Sequence, residues 1–584
     1  MENYDTQYDL DFSRGSKWVM SGVDEDYCKR FAEAYPLKRS IIRSLLLRGV
    51  DETQADIFLR APLDVLTDPY RIPGMDKAVG RIWKAIDNKE KIVVHGDYDT
   101  DGVTSAVLLE WVLSSFGADV EIFVSNRMED GYGPTPSTVN KINYQGGKVI
   151  ISCDCGITSF DACNRAKELD IDIIITDHHN PGRRLPDAYT IVNPRLDKSL
   201  VDLQGLAGVG VSFKVCHAFM KSSLSRQGVD VNLDIRVGLD LVAMGTVADV
   251  SPMVGENRSL VKNGLKLIEL RKRPGLKALA DVGYIEGRIT TNDISRRLAP
   301  KINAAGRVGD PMVSVDLLRS GSLQDAHRHA MTLEKFNRQR RQAERKAYKE
   351  ALEMAREELS KDSRGGIVIA GENWHPGVIG LLATKVSKHF SRPVIVLSND
   401  KVSGELLGSG RSCAQLDILK VLNGCQDLLS SFGGHPMAVG VSLPHENLDE
   451  FRRHFIEAFF GSDFKKYEEE ERLYADDEMM FCEIDSEFMN QLESLEPFGT
   501  GNKEPVYFYR RAKVVTVIPL GENHCRGTLE DDSGIQIPFV CYSISDVEFY
   551  KGYISLLASP RRVTIKGFTE VQLFIVDVKS YELP

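Results

Sequence analysis

Three stretches of the sequence end an apolar run in acidic residues and histidine. Stretch 92–102 carries His95, Asp97, Asp99 and Asp101, stretch 150–156 carries Asp154, and stretch 173–179 ends in Asp177, His178 and His179. Such a run predicts a buried strand of a parallel sheet, and a side chain just past it lies where open α/β sheets collect their ligands. Like charges this close stay ionised only when cations neutralise them. The sequence therefore predicts a metal site, with two ions.

The types of side chain narrow the choice of metal. Carboxylates dominate and imidazoles come second, a set that suits Mn²⁺ or Mg²⁺ better than structural zinc. Cys153 and Cys155 flank Asp154, but alternation along a strand points both thiols away from it, so we expect no thiolate ligand. A fourth contributor is Asp249, which closes a largely apolar segment before Pro252 stops that element.

Each motif also has an ordinary structural interpretation. A lone aspartate after a strand commonly caps the next helix, Asp101 followed by Gly102 fits a turn, and a His-His pair can lie on the surface. The ordered combination His-x3-Asp-x-Asp, Asp-Cys-Gly, Asp-His-His and Val-Ala-Asp is much more specific. It favours the metal site.

These motifs resemble those of the DHH phosphoesterase superfamily, whose name is spelled by residues 177–179. The resemblance implies cleavage of a phosphoanhydride or phosphodiester bond with two divalent ions, Mn²⁺ or Mg²⁺. By position it implies one ion held by His95, Asp99 and Asp154 and a second held by Asp101, Asp154, His178 and Asp249. It also implies a catalytic set of His179, Asp154 and Asp177, in which His179 contacts the scissile phosphate. Asp97 and Asp177 would orient the imidazoles.

Length and composition bound the class of protein. The 584 residues fit about three or four domains, and 42% apolar residues suffice for full cores. The first twenty residues are polar, no apolar run approaches a membrane span, and the ten cysteines lack a paired spacing. We therefore expect a cytoplasmic monomer with reduced thiols and no membrane contact.

Composition shifts predict an α/β architecture of five parts. We expect a mixed, helical N-terminal region at 1–80, a parallel-sheet catalytic domain at 81–320, a long connecting helix at 321–362, a second α/β domain at 363–466 and an OB-like β-barrel at 467–584. The helix prediction rests on residues 323–361, which lack Pro and Gly and would extend roughly 50–60 Å. It would join two domains across a cleft. Other small barrels would fit the C-terminal composition equally well.

The second α/β domain contains another group of polar residues. Ser409 and Arg411 lie among glycines, and His435 lies in the glycine-rich segment 432–440. Glycines let backbone N–H groups approach an anion closely, while the guanidinium and hydroxyl supply charge and direction. Ordinary turns remain an alternative for either motif alone. Together with segment 374–380, the two motifs resemble the DHHA1 domain, which binds substrate beside DHH catalytic domains.

A long helix followed by a β-domain resembles the RecJ family within this superfamily. The resemblance implies a 5′→3′ exonuclease that releases 5′-mononucleotides from single-stranded DNA in repair and recombination, with single-strand-binding protein and a helicase as partners. It implies a 5′-phosphate and DNA site formed by Arg127, Arg307, Ser409, Arg411 and His435. Two alternatives remain. One is a phosphodiesterase on nano-RNA or cyclic dinucleotides, and the other is a non-catalytic replication scaffold, which would normally have lost ligands that are present here.

The net charge of −11 argues against an extended nucleic-acid surface, so binding would depend on local basic groups. Candidate basic clusters lie at 262–277 and 338–345, and either could equally be a solvated face. For the trailing strand, the candidates are Phe498, Tyr507, Phe508, Arg510 and Arg511. These aromatics could equally form the core of the barrel.

Overall fold

The computed structural model describes residues 8–10, 17–126, 131, 133–227, 231–361, 365–399, 404–413, 416–459, 472–521, 524–542 and 552–581. The chain divides into two units. The first comprises residues 1–123, 133–299 and 470–584, and the second comprises residues 124–132 and 300–469.

The first unit contains the N-terminal region and a parallel-sheet domain. Its elements up to residue 299 are β1 (Tyr8–Leu10), β2 (Lys17–Met20), α1 (Glu25–Ala34), α2 (Arg39–Leu46), α3 (Ala55–Arg60), α4 (Met75–Asn88), β3 (Lys91–Gly96), α5 (Thr100–Ser115), β4 (Val120–Val124), α6 (Pro136–Tyr144), β5 (Gly147–Cys153), α7 (Phe160–Glu168), β6 (Asp172–Thr176), β7 (Thr190–Val192), α8 (Gly208–Ser223), α9 (Leu239–Ala248), α10 (Gly255–Glu269), α11 (Pro274–Val282) and α12 (Thr291–Asp293). The sheet has the order β4-β3-β5-β6-β7, and β3, β5, β6 and β7 run parallel. Val93, Ile150 and Ile174 are fully buried, as expected where helices cover both faces of a sheet.

The second unit contains the long helix and a mixed sheet. Its elements are α13 (Ala299–Val308), α14 (Met312–Arg319), α15 (Leu323–Lys361), β8 (Ile367–Gly371), α16 (Pro376–Phe390), β9 (Val394–Asn399), β10 (Leu406–Arg411), α17 (Ile418–Asn423), β11 (Ser431–His435), β12 (Ala438–Leu443) and α18 (Leu448–Ala458). The predicted long helix is confirmed as the 39-residue α15, whose buried Ala347, Ala351 and Ala355 pack against β8 and α16. The sheet order is β11-β12-β10-β9-β8, and in it β8 and β9 are the parallel pair.

The C-terminal part of the first unit closes into a β-barrel. Its elements are β13 (Arg472–Ala475), β14 (Asp477–Glu478), α19 (Ser486–Ser494), β15 (Tyr507–Pro519), β16 (His524–Asp531), β17 (Gln536–Tyr542), β18 (Tyr553–Ile565) and β19 (Phe568–Ser580). The order is β14-β15-β16-β17-β19-β18, and β15 also pairs with β18, which closes the sheet on itself. Closure removes unpaired strand edges, as in the OB-like barrel expected from the sequence.

The N-terminal region packs onto this barrel. Strand β2 pairs in parallel with β13, and the indole Nε1 of Trp18 donates to the Asp577 carboxylate at 2.8 Å. Phe31, Ile41 and Leu45 from α1 and α2 share one apolar core with barrel residues. Residues near the two ends of the described chain therefore fold as one body.

The strand-binding role predicted for the barrel aromatics is wrong for Tyr507 and Phe508. Both are buried to 1% exposure or less, because the barrel interior covers one face of β15 and Trp18 packs on the other. Phe498 packs against the same core. Arg510 and Arg511 pair with Glu478 and Asp532. The alternative interpretation, that the aromatics form the barrel core, is the one the structure supports.

The basic cluster at 262–277 mostly serves the fold. Lys262 donates to the carbonyls of Leu59 and Ser494, and Arg273 forms an ion pair with Asp240. Arg271 and Lys277 pair with Asp281. On α15, Arg338 and Arg340 pair with Glu334 and Glu344, whereas Arg341 and Arg345 are exposed. Within the part of the chain that the structure describes, no helix is long and apolar enough to cross a membrane.

Candidate metal centre

The acidic strand ends converge on one edge of the parallel sheet. His95 lies at the end of β3, with Asp97 just beyond it, and Asp154 directly follows β5. Asp177 directly follows β6, next to β5 in the sheet, and precedes His178 and His179. Asp249 arrives from the C-terminal end of α9. The convergence predicted from the sequence is therefore present.

Metal-ligating atoms of the described residues lie within 4.8 Å of one another in three groups: Asp154, His178 and His179; Asp101, His178 and Asp249; and Asp97, Asp99 and Asp154. The His178 Nε2 atom lies 3.0 Å from the Asp154 carboxylate and 4.0 Å from that of Asp101. Its Nδ1 atom lies 4.0 Å from the Asp249 carboxylate. Asp154 and His178 each belong to two of the groups, but a carboxylate offers two oxygens as ligands, so Asp154 is the better placed of the two to serve two ions.

His95 lies outside these three groups of described residues. Its ring is fully buried and stacks on Phe123 with centroids 5.3 Å apart, and its Nδ1 lies 3.9 Å from the Cys155 sulfur. Among the described residues, Asp97 rather than His95 is grouped with Asp99 and Asp154. The division of ligands between two ions therefore stays a prediction.

Helix termini fix the carboxylates. Asp99 caps α5 and accepts from the backbone N–H groups of Asp101 and Gly102 at 3.0 and 3.1 Å. Asp101 accepts from Gly208 and Val209 at the first turn of α8, at 2.7 and 2.8 Å. The positive end of a helix dipole favours a carboxylate in such a position. These contacts orient the aspartates before any cation binds.

Helices α8 and α9 pack so closely against the acidic residues that each needs a glycine at the contact. A Cβ atom at Gly208 would lie 2.6 Å from the Asp154 Cβ, and one at Gly245 would lie 2.8 Å from the Asp101 carboxylate. Asp154 itself has φ 62°, a left-handed conformation that aspartate and asparagine tolerate better than most residues. The turn after β5 thus aims this carboxylate at α8.

The electrostatics of the cluster fit bound cations. Burial raises the pKa of Asp101 well above its usual value, and the charges of Asp249 and Asp99 raise it further. Burial likewise raises the pKa of Asp154, with Asp101 as the leading charged neighbour. Buried carboxylates of this kind stay ionised when cations compensate them, and an oxygen-rich set with imidazole suits Mn²⁺ or Mg²⁺.

Asp177 holds the histidine pair in place. Its carboxylate accepts from the backbone N–H groups of His178 and His179 at 2.7 and 3.0 Å, and lies 2.8 Å from the His179 Nδ1. Burial alone would raise the pKa of Asp177, but these contacts with His179 hold it below its usual value. Burial opposes protonation of His179, yet Asp177 raises the pKa of that imidazole above its usual value. Burial lowers the pKa of His178, the charge of Asp249 opposes this shift, and the positive charges of His179 and Arg195 add to it.

Sequence reasoning missed a fourth strand end at this edge. Strand β7 neighbours β6, and Asn193 and Arg195 follow it directly. The Asn193 side-chain amide donates to the His179 carbonyl at 2.9 Å, and Arg195 donates to the Asn180 side chain at 2.6 Å. With three residues, β7 is too short to form a recognisable apolar run, although the polar residues after Val192 are the same type of signal.

In the second unit, three of the predicted phosphate ligands meet at the N-terminal turns of α16. Ser409 and Arg411 lie two residues apart on β10, and a Cβ at Gly380 would be 3.3 Å from the Ser409 hydroxyl and 3.4 Å from the Arg411 guanidinium. Arg307 donates to the Gly377 carbonyl at 3.2 Å. A helix N-terminus beside two guanidinium groups is a favourable anion site.

His435 and Arg127 stand apart from this group. His435 is exposed on β11 and shares a sheet face with Arg411, because Ala438 is the direct cross-strand partner of both. Two strand spacings separate them, about 10 Å. Arg127 lies outside the described residues. The assignment of all five residues to a phosphate site stays a prediction.

Family models match three parts of the chain. They are "DHH family, N-terminal domain" at residues 91–246, "DHHA1 domain" at 364–461 and "RecJ OB domain" at 475–577. The three matches cover the sheet with the acidic edge, the mixed sheet and the barrel.

Curated relatives and a solved structure match most of the chain. "Single-stranded-DNA-specific exonuclease RecJ" of Bacillus subtilis (strain 168) is 33% identical over 524 residues, which are 88% of this chain and 64% of that relative. The relative of the same name from Dickeya dadantii (strain 3937) is 35% identical over 83% of this chain and 86% of its own length. The crystal structure of RecJ in complex with Mn²⁺ from Thermus thermophilus matches with a TM-score of 0.78 and 25% identity, covering 97% of this chain and 79% of that one.

Proposed function

Because this chain belongs to the RecJ family of single-stranded-DNA-specific exonucleases, we propose that it degrades single-stranded DNA from the 5′ end and releases 5′-mononucleotides. The observation that carries the proposal is the group of buried carboxylates and histidines at the edge of the parallel sheet. Every ligand that the DHH motifs require is present in the sequence, unlike in a scaffold that has lost catalysis.

The aspartates and His178 would hold divalent cations, Mn²⁺ or Mg²⁺. Asp154 would serve both ions, with Asp101, His178 and Asp249 completing one set of ligands and His95 and Asp99 completing the other. Such ions, when bound, make a coordinated water more acidic and withdraw charge from a phosphoryl oxygen. The protein contributes the fixed carboxylate geometry, which helix termini and glycine contacts impose.

His179 is the residue we assign to the scissile phosphate. Its side chain is 38% exposed, whereas His178 beside it is buried, so His179 can reach a bound strand. Asp177 holds the imidazole through Nδ1 and raises its pKa, which favours the protonated form, in which Nε2 is also a donor. A donor so placed stabilises negative charge that develops on a phosphoryl oxygen.

The terminus of the strand would be recognised in the second unit. Arg307, Ser409 and Arg411 around the first turns of α16 supply two planar guanidinium groups, a hydroxyl and backbone N–H groups. Guanidinium forks match the geometry of a phosphate better than lysine does. We assign the 5′-phosphate to this group, with Arg127 and His435 as additional contacts to DNA.

The barrel would bind the rest of the strand by its outer face. His524, Tyr542 and Phe574 lie on the adjacent strands β16, β17 and β19, and the His524 and Tyr542 rings are 5.3 Å apart. Tyr542 is 51% exposed, and the Arg561 guanidinium stacks 4.1 Å from the Phe574 ring. Exposed rings beside cations are the groups on which single-stranded bases stack.

A substrate of chromosomal DNA would place the enzyme in the cytoplasm, in repair and recombination. We propose a monomer that works with a helicase and with single-strand-binding protein, since duplex ends must first be opened. The support is the substrate specificity in the names of its curated relatives.

The decisive assay compares strands labelled at either end. With Mn²⁺, purified protein should release labelled mononucleotide at once from 5′-labelled single-stranded DNA, leave a 3′-labelled strand to shorten progressively, and spare a blunt duplex. A chelator should abolish all cleavage. Activity confined to di- to tetranucleotides or cyclic dinucleotides would instead identify a phosphodiesterase of small substrates.

A further inference from the structure

The guanidinium of Arg195 occupies an unusual position at the edge of the parallel sheet. It follows β7, and its Nη1 donates to the Asn180 side chain, directly after the Asp177-His178-His179 sequence. Its Nε is buried with no hydrogen-bond partner among the described residues, and none of their carboxylates lies within 4.0 Å of it. A guanidinium is charged at any working pH, so this cation has donors to spare beside an acidic site.

The backbone beside Arg195 is fixed. The Asn193 carboxamide oxygen accepts from the Arg195 N–H at 2.9 Å, and the amide of the same side chain donates to the His179 carbonyl at 2.9 Å. Asn193 therefore ties the segment that carries Arg195 to the segment that carries the histidine pair. Asn193 fixes the backbone of Arg195, and Asn180 contacts its guanidinium, so Arg195 loses little conformational freedom when it binds a ligand.

The net charge of the metal centre indicates why a cation is needed beside it. Six carboxylates gather at the edge, namely Asp97, Asp99, Asp101, Asp154, Asp177 and Asp249. Two divalent ions offset four of these charges, so a phosphodiester strand entering the site still meets net negative charge. A fixed guanidinium on the same edge lowers that repulsion and can form two parallel hydrogen bonds to one phosphate.

We propose that Arg195 binds a backbone phosphate of the DNA strand next to the scissile linkage, and so positions the strand over the metal centre. The inference rests on the proposed function. It assigns a role to a residue outside the metal ligands and outside the group on β10 and α16.

The test scans the phosphates of the substrate. Single-stranded DNA with a 5′-phosphate carries one neutral methylphosphonate at the second, third or fourth linkage, and release of the first nucleotide is measured with Mn²⁺. Arg195→Met should lower kcat/KM on the unmodified strand about 10- to 100-fold, the scale of one charge-assisted contact. At one of the three linkages, the methylphosphonate should lower kcat/KM of the wild type by a similar factor. The same modification should not lower kcat/KM of Arg195→Met any further.

Matched variants separate binding from support of the fold. Arg165 also donates to an asparagine side chain, but on the surface helix α7, so Arg165→Met should leave the rates unchanged. Arg195→Lys keeps a charge without the planar fork and should recover part of the loss. If Arg195→Met does not melt cooperatively, Arg195→Gln replaces it, since the amide can still donate to Asn180.

Three results are decisive. Arg195→Met could lower kcat/KM relative to the wild type by the same factor on every strand, whichever linkage carries the methylphosphonate. That result would show that Arg195 only supports the Asn180 segment and contacts no phosphate. Wild-type rates in Arg195→Met would also overturn the proposal. A wild type inactive on all single-stranded DNA would contradict the proposed function itself, which the unmodified strand tests separately.

Discussion

At the scale of the residue, Asp154 has a position that few side chains could occupy. Its φ of 62° follows from the turn after β5, and its backbone N–H donates to the Thr176 carbonyl at 3.0 Å. The backbone therefore fixes where the carboxylate points, independently of any ion. Asparagine tolerates the same conformation, whereas alanine there costs about 1–2 kcal/mol. The substitution that isolates the charge of this residue is thus Asp154→Asn.

We expect Asp154→Asn to lower the cleavage rate by on the order of a thousand-fold or more, because the shared ligand of both ions is lost. Single-turnover release of mononucleotide with Mn²⁺ measures this effect. Asp161→Asn is the control, since Asp161 lies exposed on α7 away from the ligand groups. Retention of more than about a tenth of the wild-type rate would exclude Asp154 as a shared ligand.

Thermal melting checks that Asp154→Asn is folded. Burial raises the pKa of Asp154, so without metal the folded protein disfavours its ionised form and loses stability as pH rises from about 3.8. At neutral pH and without divalent ions, Asp154→Asn should therefore melt higher than the wild type. Adding Mn²⁺ should raise the melting temperature of the wild type more than that of the variant.

Arg411 permits a second test at this scale. Wild-type protein should degrade a 5′-phosphorylated strand about 30- to 1000-fold more efficiently than a 5′-hydroxyl strand, which corresponds to roughly 2–4 kcal/mol for a buried phosphate contact. Arg411→Ala should abolish that preference by lowering kcat/KM for the phosphorylated strand alone. Arg453→Ala on α18 is the control, because Arg453 is 62% exposed and pairs with Glu450. Equal rates on both strands in the wild type would disprove the pocket.

At the scale of the element, helix α10 holds distant parts of the first unit together. Arg258 donates to the carbonyls of Phe58 and Leu495, and Lys262 donates to those of Leu59 and Ser494. Ser494 is the last residue of α19, and the negative end of the helix dipole stabilises a cation at this position. These two side chains bind the N-terminal region and the barrel domain to the helix that follows Asp249.

Lys262→Met should lower the free energy of unfolding by about 2–4 kcal/mol, because two partly buried carbonyls lose their donor. Lys266→Met is the control, since Lys266 lies exposed one turn further along α10. Chemical or thermal unfolding measures the difference. Equal stability of the two variants would show that water replaces the lysine without cost.

The pH dependence of this effect has a defined sign. Burial, with the positive charge of Arg258 acting in the same direction, lowers the pKa of Lys262 from 10.5 to about 7. Between these values the unfolded chain binds more protons than the folded one, so Lys262 favours the folded state increasingly as pH rises. The stability gap between wild type and Lys262→Met should widen from pH 7 to pH 9. A constant gap would contradict the lowered pKa.

The elements also show why some of this fold was predictable and some was not. Strands β3, β5 and β6 are continuous apolar runs, and α15 lacks Pro and Gly, so local pattern was sufficient. Strand β2 pairs with β13, more than 450 residues later, and no local sequence pattern predicts that pairing. Tyr507 and Phe508 were candidates for strand binding but are buried. Both faces of β15 are covered, which removes the alternation of polar and apolar residues that marks exposed positions. Arg195 escaped notice because β7 is too short.

At the scale of the whole molecule, an acidic protein must bind a polyanion. The net charge is −11, and most of the predicted basic cluster on α10 and α11 serves internal contacts. The outer face of the barrel differs, since His524, Arg526 and Tyr542 are exposed on β16 and β17. We therefore expect the barrel to determine affinity for long strands and the metal centre to determine the chemistry. Deleting the barrel cannot test this, because its core includes residues of α1 and α2.

A surface substitution tests the role of the barrel without opening its core. Tyr542→Ala should weaken binding of a strand of about twenty nucleotides by roughly 1–3 kcal/mol, or about 5- to 150-fold, through the loss of one stacked base. A strand of three or four nucleotides, long enough only for the catalytic region, should bind and react as in the wild type. Tyr144→Ala provides the control, since Tyr144 is a 93% exposed tyrosine on α6. Fluorescence anisotropy of 3′-labelled strands in Ca²⁺ would measure affinity, and melting would verify the fold. If both lengths lose affinity equally, Tyr542 acts on the structure of the enzyme and the strand follows another surface.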